Sequence, residues 1–267
     1  MQLENRKVLL IGASGGIGQS IARVMDTHGA QLMMVGRNEA KLAQLSQRLK
    51  GKHGSIIADI NTLAGRSAVM AECQQSGVDI LINAAGTLDF QFYDQQDPAS
   101  VEQIISTNLL SPMLLCQQLI PLLKQRQQAV ILNIGSIFGS IGHPGFAAYC
   151  ASKFGLRGFT EALQRELADT AVRVLYLAPR ATRTDLNSSV VSELNTALGN
   201  ATDSPDRVAH ELLGLLSGNK MQCYMGWPEK LFVRLNALLP RLVDNALVKK
   251  LPLIHQFAQD DLRSDET

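Results

Sequence analysis

A chain of 267 residues is long enough to bury a substantial core, as one large α/β domain or two small ones. With 46% apolar and 18% charged residues it reads as globular, and a net charge of +1 leaves no basic footprint for nucleic acid. Its four cysteines, Cys73, Cys116, Cys150 and Cys223, are scattered without the C-x-x-C spacing of zinc or thiol redox sites, so they are expected to be reduced, buried and inert.

Short apolar runs alternate with longer segments of helical period, the pattern of a parallel sheet covered by helices on both faces. Met1 leads without a signal-peptide pattern into the first predicted strand, Lys7 to Ile11, and cytoplasm is the expected compartment. Gly12-Ala13-Ser14-Gly15-Gly16-Ile17-Gly18 follows and opens a helix near Gly16. Glycines let such a turn tighten and let backbone N–H groups approach a pyrophosphate, whose charge suits the helix N-terminus. Further strands are predicted at Gln31 to Val35, Gly54 to Ala58, Asp79 to Asn83, Ala129 to Ile134 and Arg173 to Leu177, with a seventh near Gln222 to Met225. Helices are expected to begin near Glu39, Asn61, Ser100, Tyr149 and Ser204. Right-handed β-α repeats of this kind make a Rossmann-type doubly wound α/β sheet whose first half binds a dinucleotide. One domain is expected, with residues 1–226 as its dinucleotide-binding and catalytic body and 227–267 as a helical extension and acidic tail.

Chemistry concentrates in Tyr149-Cys150-Ala151-Ser152-Lys153, with Ser136 thirteen positions before the tyrosine. A phenol titrates near ~10, so it exchanges protons poorly at neutral pH unless a cation stabilises its ionised form. Lys153, four residues on, shares a helix face with Tyr149 and supplies that cation. Together with the glycine loop, the set points to hydride transfer on a carbonyl or alcohol. Negative charge then grows on the substrate oxygen, where Tyr149 would act as general acid, with Lys153 lowering its pKa and Ser136 polarising the carbonyl.

These residues resemble the short-chain dehydrogenase/reductase superfamily in its single-domain form, over roughly Lys7 to Met225. Its T-G-x-x-x-G-I-G loop matches Gly12 to Gly18, with Ile11 in place of the threonine, and its N-N-A-G segment stands as Asn83-Ala84-Ala85-Gly86. Its Asn-Ser-Tyr-Lys tetrad maps onto Asn108, Ser136, Tyr149 and Lys153, and its adenine-contacting aspartate onto Asp59, followed by Ile60. The resemblance implies that the serine and tyrosine hydroxyls hold the substrate oxygen, that the lysine also binds the nicotinamide ribose and that the asparagine helps position a water. It implies cofactor contacts at Gly12, Ser14, Gly15, Gly16, Ile17, Gly18, Asp59, Ile60, Asn83, Ala84, Ala85, Gly86, Pro179 and Thr184, besides Tyr149 and Lys153. It further implies a homodimer or homotetramer through central helices, here Ser100 to Leu123 and Ser152 to Leu167.

Cofactor choice turns on Val35-Gly36-Arg37-Asn38. NAD-preferring relatives usually carry an acid where Gly36 stands, and the Arg37 fork suits a 2′-phosphate, so NADP(H) is expected, with NAD(H) open if Arg37 instead stacks on adenine or stays solvated. After the sixth strand the family's Pro-Gly is replaced by Pro179-Arg180, where a β-carbon penalises φ > 0. Arg180 or Arg183 is expected to face an anionic part of substrate or cofactor, or to sit solvated at the loop edge.

Phe138, Ile141, His143 and Phe146, with Leu186, Val190, Val191 and Leu194, would form an apolar pocket or lid for a lipophilic ketone, an acyl chain or a steroid-like alcohol. His143 could touch substrate or lie in a surface turn. Beyond Trp227, Leu231, Phe232, Leu235, Leu239, Leu242, Val243 and Ala246 fall on one helical face, broken by Pro240, with five basic residues and one acidic residue between Lys230 and Lys250. That stripe closes the pocket, joins subunits or touches anionic lipid. Asp260 to Thr267 is expected to be a solvated, frayed tail. The expected activity is NADP(H)-dependent carbonyl reduction on a hydrophobic substrate. The alternatives are an alcohol dehydrogenase running oxidatively and a non-catalytic dinucleotide sensor or scaffold.

Overall fold

The central strands are apolar on both faces because helices cover both, whereas the sheet edges at Gly54–Ile57 and Gln222–Tyr224 stay partly exposed. In β1 (Lys7–Ile11), Val8 and Leu10 pack into one core while Leu9 and Ile11 pack into another. The computed structural model describes residues 2–265, with side chains through residue 259. Among these, β1 is joined by β2 (Gln31–Gly36), β3 (Gly54–Ile57), β4 (Ile80–Asn83), β5 (Ala129–Ile134), β6 (Val172–Ala178) and β7 (Gln222–Tyr224). All are parallel, in the order β3-β2-β1-β4-β5-β6-β7. The order reverses between β1 and β4, which opens a crevice at the carboxyl ends of these strands.

Helices α1 (Gly16–Thr27) and α2 (Glu39–Arg48) cover one face with α8 (Pro205–Ser217). The other face carries α3 (Leu63–Ser76), α5 (Ser111–Leu123) and α6 (Ala147–Glu166), the last two after α4 (Pro98–Ile105) in chain order. Helix starts differ from expectation where a cap decides them. Thr62 accepts from Gly65 N–H, so α3 begins at Leu63 rather than Asn61. Asp97 accepts from Ala99 N–H with Pro98 at the first position, so α4 begins two residues before Ser100. Helices α4 and α5 are joined by a π-helical turn, Ser106–Leu110. Leu110, Met113 and Phe154 expose apolar surface on the helices expected to pair subunits.

The Asn83 side chain does not face the crevice, which leaves its backbone for the expected cofactor contact. Its amide points into the sheet, donating to Asn133 Oδ1 at 2.8 Å, and Asn133 donates to Thr160 Oγ1 at 2.9 Å. This buried chain ties β4, β5 and α6 together, and the Asn83 side chain is a strut of the sheet rather than a ligand contact.

Segment α7 (Ser189–Ala197) folds as a helix where the sequence suggested only a lid; Ser188 caps it by accepting from Val191 N–H. The extension breaks at Pro240 as the pattern implied, into α9 (Glu229–Leu238) and α10 (Pro240–Val248), and then continues as α11 (Leu251–Asp265). Phe92 stacks on His255 at 4.0 Å, and Ile254 and Ala258 are buried with Val191 and Leu194, which fastens α11 to α7. The backbone of the expected frayed tail is helical to Asp265; its side chains, with Glu266 and Thr267, lie outside the described residues. Among the described residues no helix is long and apolar enough to cross a membrane.

Candidate active site

The loop after β1 is held by backbone contacts that admit no side chain. Gly12 has φ +79°, a region costly for residues with a β-carbon, and a Cβ there would lie 2.6 Å from Ala85 N. A Cβ on Gly18 would lie 2.1 Å from Gly12 O. Gly15 N–H donates to Gly12 O, and Ser14 O accepts from Gln19 Nε2. The first turn of α1 carries no acidic side chain, so its N–H groups face the crevice unneutralised. Thr184 packs on Gly16, where an added Cβ would come within 2.7 Å of its Cγ2. This loop fits a dinucleotide pyrophosphate.

At the adenine end of the crevice, Asp59 is half-buried and its carboxylate accepts from Asn61 N–H. The Ile60 side chain is buried in the core, which removes it from the side chains available to a ligand. Arg37 is exposed and makes no hydrogen bond or ion pair among the described residues.

Ser136, Tyr149 and Lys153 converge below Gly86. Ser136 follows β5 and caps a short 3₁₀ turn, accepting from Phe138 N–H at 3.1 Å. Burial pushes the Tyr149 phenol up to about 12, and the Ser136 hydroxyl bonded to it offsets only part of that shift. Burial outweighs the stabilisation that a neighbouring cation could give, so Tyr149 rests as a neutral phenol. Lys153 is 4% exposed, its Nζ donates to Ile134 O at 3.2 Å, and it lies 5.7 Å from the Tyr149 ring centre. Desolvation of the ammonium brings Lys153 down to about 8.

Asn108, fully buried in the π-helical turn, clamps its surroundings. Its Oδ1 accepts from Thr87 N–H, and its Nδ2 donates to Thr87 O and Ser152 Oγ. With its amide so engaged, it shapes the wall next to Gly86 and Lys153.

One residue that sequence reasoning missed sets the floor. Tyr176 in β6 is fully buried, and a Cβ on Gly135 would lie 2.1 Å from its ring. A Cβ on Gly139 would lie 2.6 Å from the oxygen of the same phenol. The large ring opposite two glycines fixes the path of the Ser136 loop, a complementarity visible only once β5 and β6 are in register.

Ser136 and Tyr149 open into a cleft of about 310 Å³. Phe138, His143 and Phe146 form one wall, and the inner faces of α9 and α10 cover it through Leu235 and Val243. Leu186 stands half-exposed at the rim. His143 stacks on Phe138 at 4.9 Å; burial, with the nearby Lys250 charge, depresses its pKa and keeps it a neutral wall. Phe90, also missed, stacks under Phe146 at 4.9 Å. Burial likewise raises the thiols of Cys73 and Cys116 to about 12 and that of Cys150 above its usual value, which leaves all three unreactive.

Arg180 lines the cleft as expected, but not as a cation free to meet an anion. Its guanidinium forks onto Asp203 at 3.1 and 2.9 Å and reaches Glu229 at 3.2 Å, so no charge is free for substrate or cofactor. Its backbone is unstrained, since Asn5 is the one non-glycine residue with positive φ among those described. Arg183 bonds Thr202 at the surface.

Residues 6–195 match the short chain dehydrogenase family. The chain is 36% identical over 184 residues to nodulation protein G of Rhizobium meliloti (strain 1021), covering 67% of this chain and 74% of that one. It is 31% identical over 228 residues to 3-oxoacyl-(acyl-carrier-protein) reductase FabG of Rickettsia prowazekii (strain Madrid E), covering 82% and 92%. Among solved structures, 3-ketoacyl-(acyl-carrier-protein) reductase from Brucella melitensis complexed with NADH superposes with a TM-score of 0.75 at 28% identity, over 83% of this chain and 95% of that one. The glycine loop, the sheet order and these relatives lead to one conclusion: the chain belongs to the short-chain dehydrogenase/reductase superfamily and is an NAD(P)-dependent oxidoreductase.

Proposed function

We propose that the protein is an NADP(H)-dependent carbonyl reductase acting on a ketone or 3-oxoacyl group of a hydrophobic substrate, with Tyr149 as the proton donor. The observation that carries this reading is an apolar cleft with the Ser136 and Tyr149 hydroxyls at its base. A nicotinamide cofactor, when bound, would supply the hydride. Ser136 hydrogen-bonds the substrate carbonyl oxygen, Tyr149 gives it a proton, and Lys153 stabilises the phenolate left behind. A neutral Tyr149 suits reduction, since a general acid must start protonated. The α9–α10 cover adds the apolar side chains of Leu235 and Val243 to the walls around this step. The relatives that reduce 3-oxoacyl groups support the same substrate class. Following NADPH absorbance with a panel of lipophilic ketones and 3-oxoacyl thioesters tests it; NADPH binding without turnover across the panel would count against it.

Two outcomes follow from the same geometry. Lys153 is charged below a pKa of about 8 and neutral above it. Reductive kcat/KM is therefore expected to hold level at lower pH and fall as pH rises through about 8, while Tyr149 stays protonated. A profile flat through that window removes Lys153 from the proton transfer.

NADP(H) preference rests on the free guanidinium of Arg37 and on Gly36. A Cβ at Gly36 would come within 3.0 Å of Ser14 Oγ, which disfavours the acid that a free ribose hydroxyl prefers. Arg37→Ala is expected to weaken NADPH binding about tenfold and leave NADH binding unchanged, the loss of one charge-assisted contact at an exposed site. Equal effects on both cofactors, by fluorescence titration, would assign Arg37 to adenine stacking. The free cysteines fit a reducing, cytoplasmic compartment.

A further inference from the structure

We propose that the outer face of α9 and α10 docks on an anionic lipid bilayer and that the active-site cleft opens onto that contact. Covering the cleft uses only the inner side of these helices. Seven of the fourteen exposed large apolar side chains among the described residues lie between Trp227 and Val248. Trp227 is 72% exposed, Leu238 78% and Leu239 53%, and none of these three lines the cleft. Apolar surface so concentrated in one short segment is a contact surface rather than the usual scatter.

Charge selects the occupant. Lys230, Arg234, Arg241 and Lys249 are exposed among these apolar groups and Lys250 is half-buried; none forms an ion pair among the described residues. The acids of the segment are Asp244 and Glu229, and Glu229 is held by Arg180. Short helices carrying leucines, a tryptophan at one end and unpaired cations match an interface with anionic headgroups, where the leucines enter the acyl boundary and the cations meet phosphate. No described helix could cross the bilayer, so the contact is from one side. Phe232, Leu242 and Ala246 are exposed and also line the cleft, which places its mouth on this surface. A lipophilic substrate dissolved in the membrane would then reach Tyr149 without passing through water.

Trp227 is the one tryptophan of the chain and reports the contact directly. Adding vesicles of phosphatidylcholine mixed with phosphatidylglycerol to the full-length protein, without cofactor, is expected to blue-shift its fluorescence and carry the protein into the vesicle pellet. Pure phosphatidylcholine vesicles or high salt should abolish both effects. The double variant Leu238→Glu, Leu239→Glu is expected to stay in the supernatant while binding NADPH as wild type does, which shows that its fold is intact. The proposal is overturned if wild type neither shifts nor sediments with anionic vesicles, or if the double variant still does. It is equally overturned if light scattering shows the double variant dissociating an oligomer that itself ignores vesicles, because the face is then a subunit interface. None of these readouts needs turnover, so failure of the reductase assignment and failure of this one are distinguishable.

Discussion

Replacing Tyr149 with phenylalanine is expected to lower the reductive kcat by 10²–10⁴-fold, on the order lost with a general acid, and to change the NADPH dissociation constant far less. The change removes one oxygen and keeps the ring. The ring's edge contact with Phe138, 6.4 Å between centroids, and its burial in the wall survive, so thermal stability should stay close to wild type. Ser136 Oγ still accepts from Phe138 N–H, and Lys153 Nζ still donates to Ile134 O, so neither neighbour is left without a partner. What disappears is the phenol placed to deliver the proton; among the other described groups near it, His143 is half-buried and neutral, Cys150 is pushed to high pKa, and Lys153 lies 4% exposed behind the tyrosine. Single-turnover kinetics with saturating NADPH measure the effect. Retention of wild-type turnover by Tyr149→Phe would show that the proton comes from elsewhere.

The parts of this site that were legible in the sequence are those built from local pattern. A strand covered on both faces reads as an unbroken apolar run, as Val8 to Ile11 does, and a loop requiring glycine at Gly12 and Gly18 announces itself. Spacing of four placed Lys153 beside Tyr149, but the sign of the pKa shift depended on burial, which spacing does not reveal. The sheet role of the Asn83 side chain was not legible because its partners, Asn133 and Thr160, lie 50 residues and more away and meet it only across adjacent strands and a helix. Tyr176 was invisible for the same reason. The stripe on α9 and α10 was correctly apolar yet incomplete: periodicity identifies one face, whereas the short helices carry apolar residues both on the cleft side and outward.

Arg180 shows most clearly how a residue's meaning can reside far along the chain, and its removal is expected to cost about 3 kcal/mol of stability. Asp203, 2% exposed, receives both prongs of the Arg180 fork, and Arg207 alone cannot replace them, because it reaches one oxygen from a side chain that is 53% exposed. Arg180→Ala thus strands a buried carboxylate. It also frees Glu229 at the start of α9, the helix whose Phe232 and Leu235 cover the cleft. Urea denaturation should show a lower midpoint with an unchanged slope, and the KM for a hydrophobic ketone should rise while NADPH affinity holds. The double variant Arg180→Met, Asp203→Asn removes both charges at once and is expected to recover most of the lost stability, whereas Arg180→Met alone should not, since burying a lone charge is what costs. Were Arg180 a substrate ligand instead, the single variants would raise KM with the urea midpoint in place, and the second substitution would restore nothing.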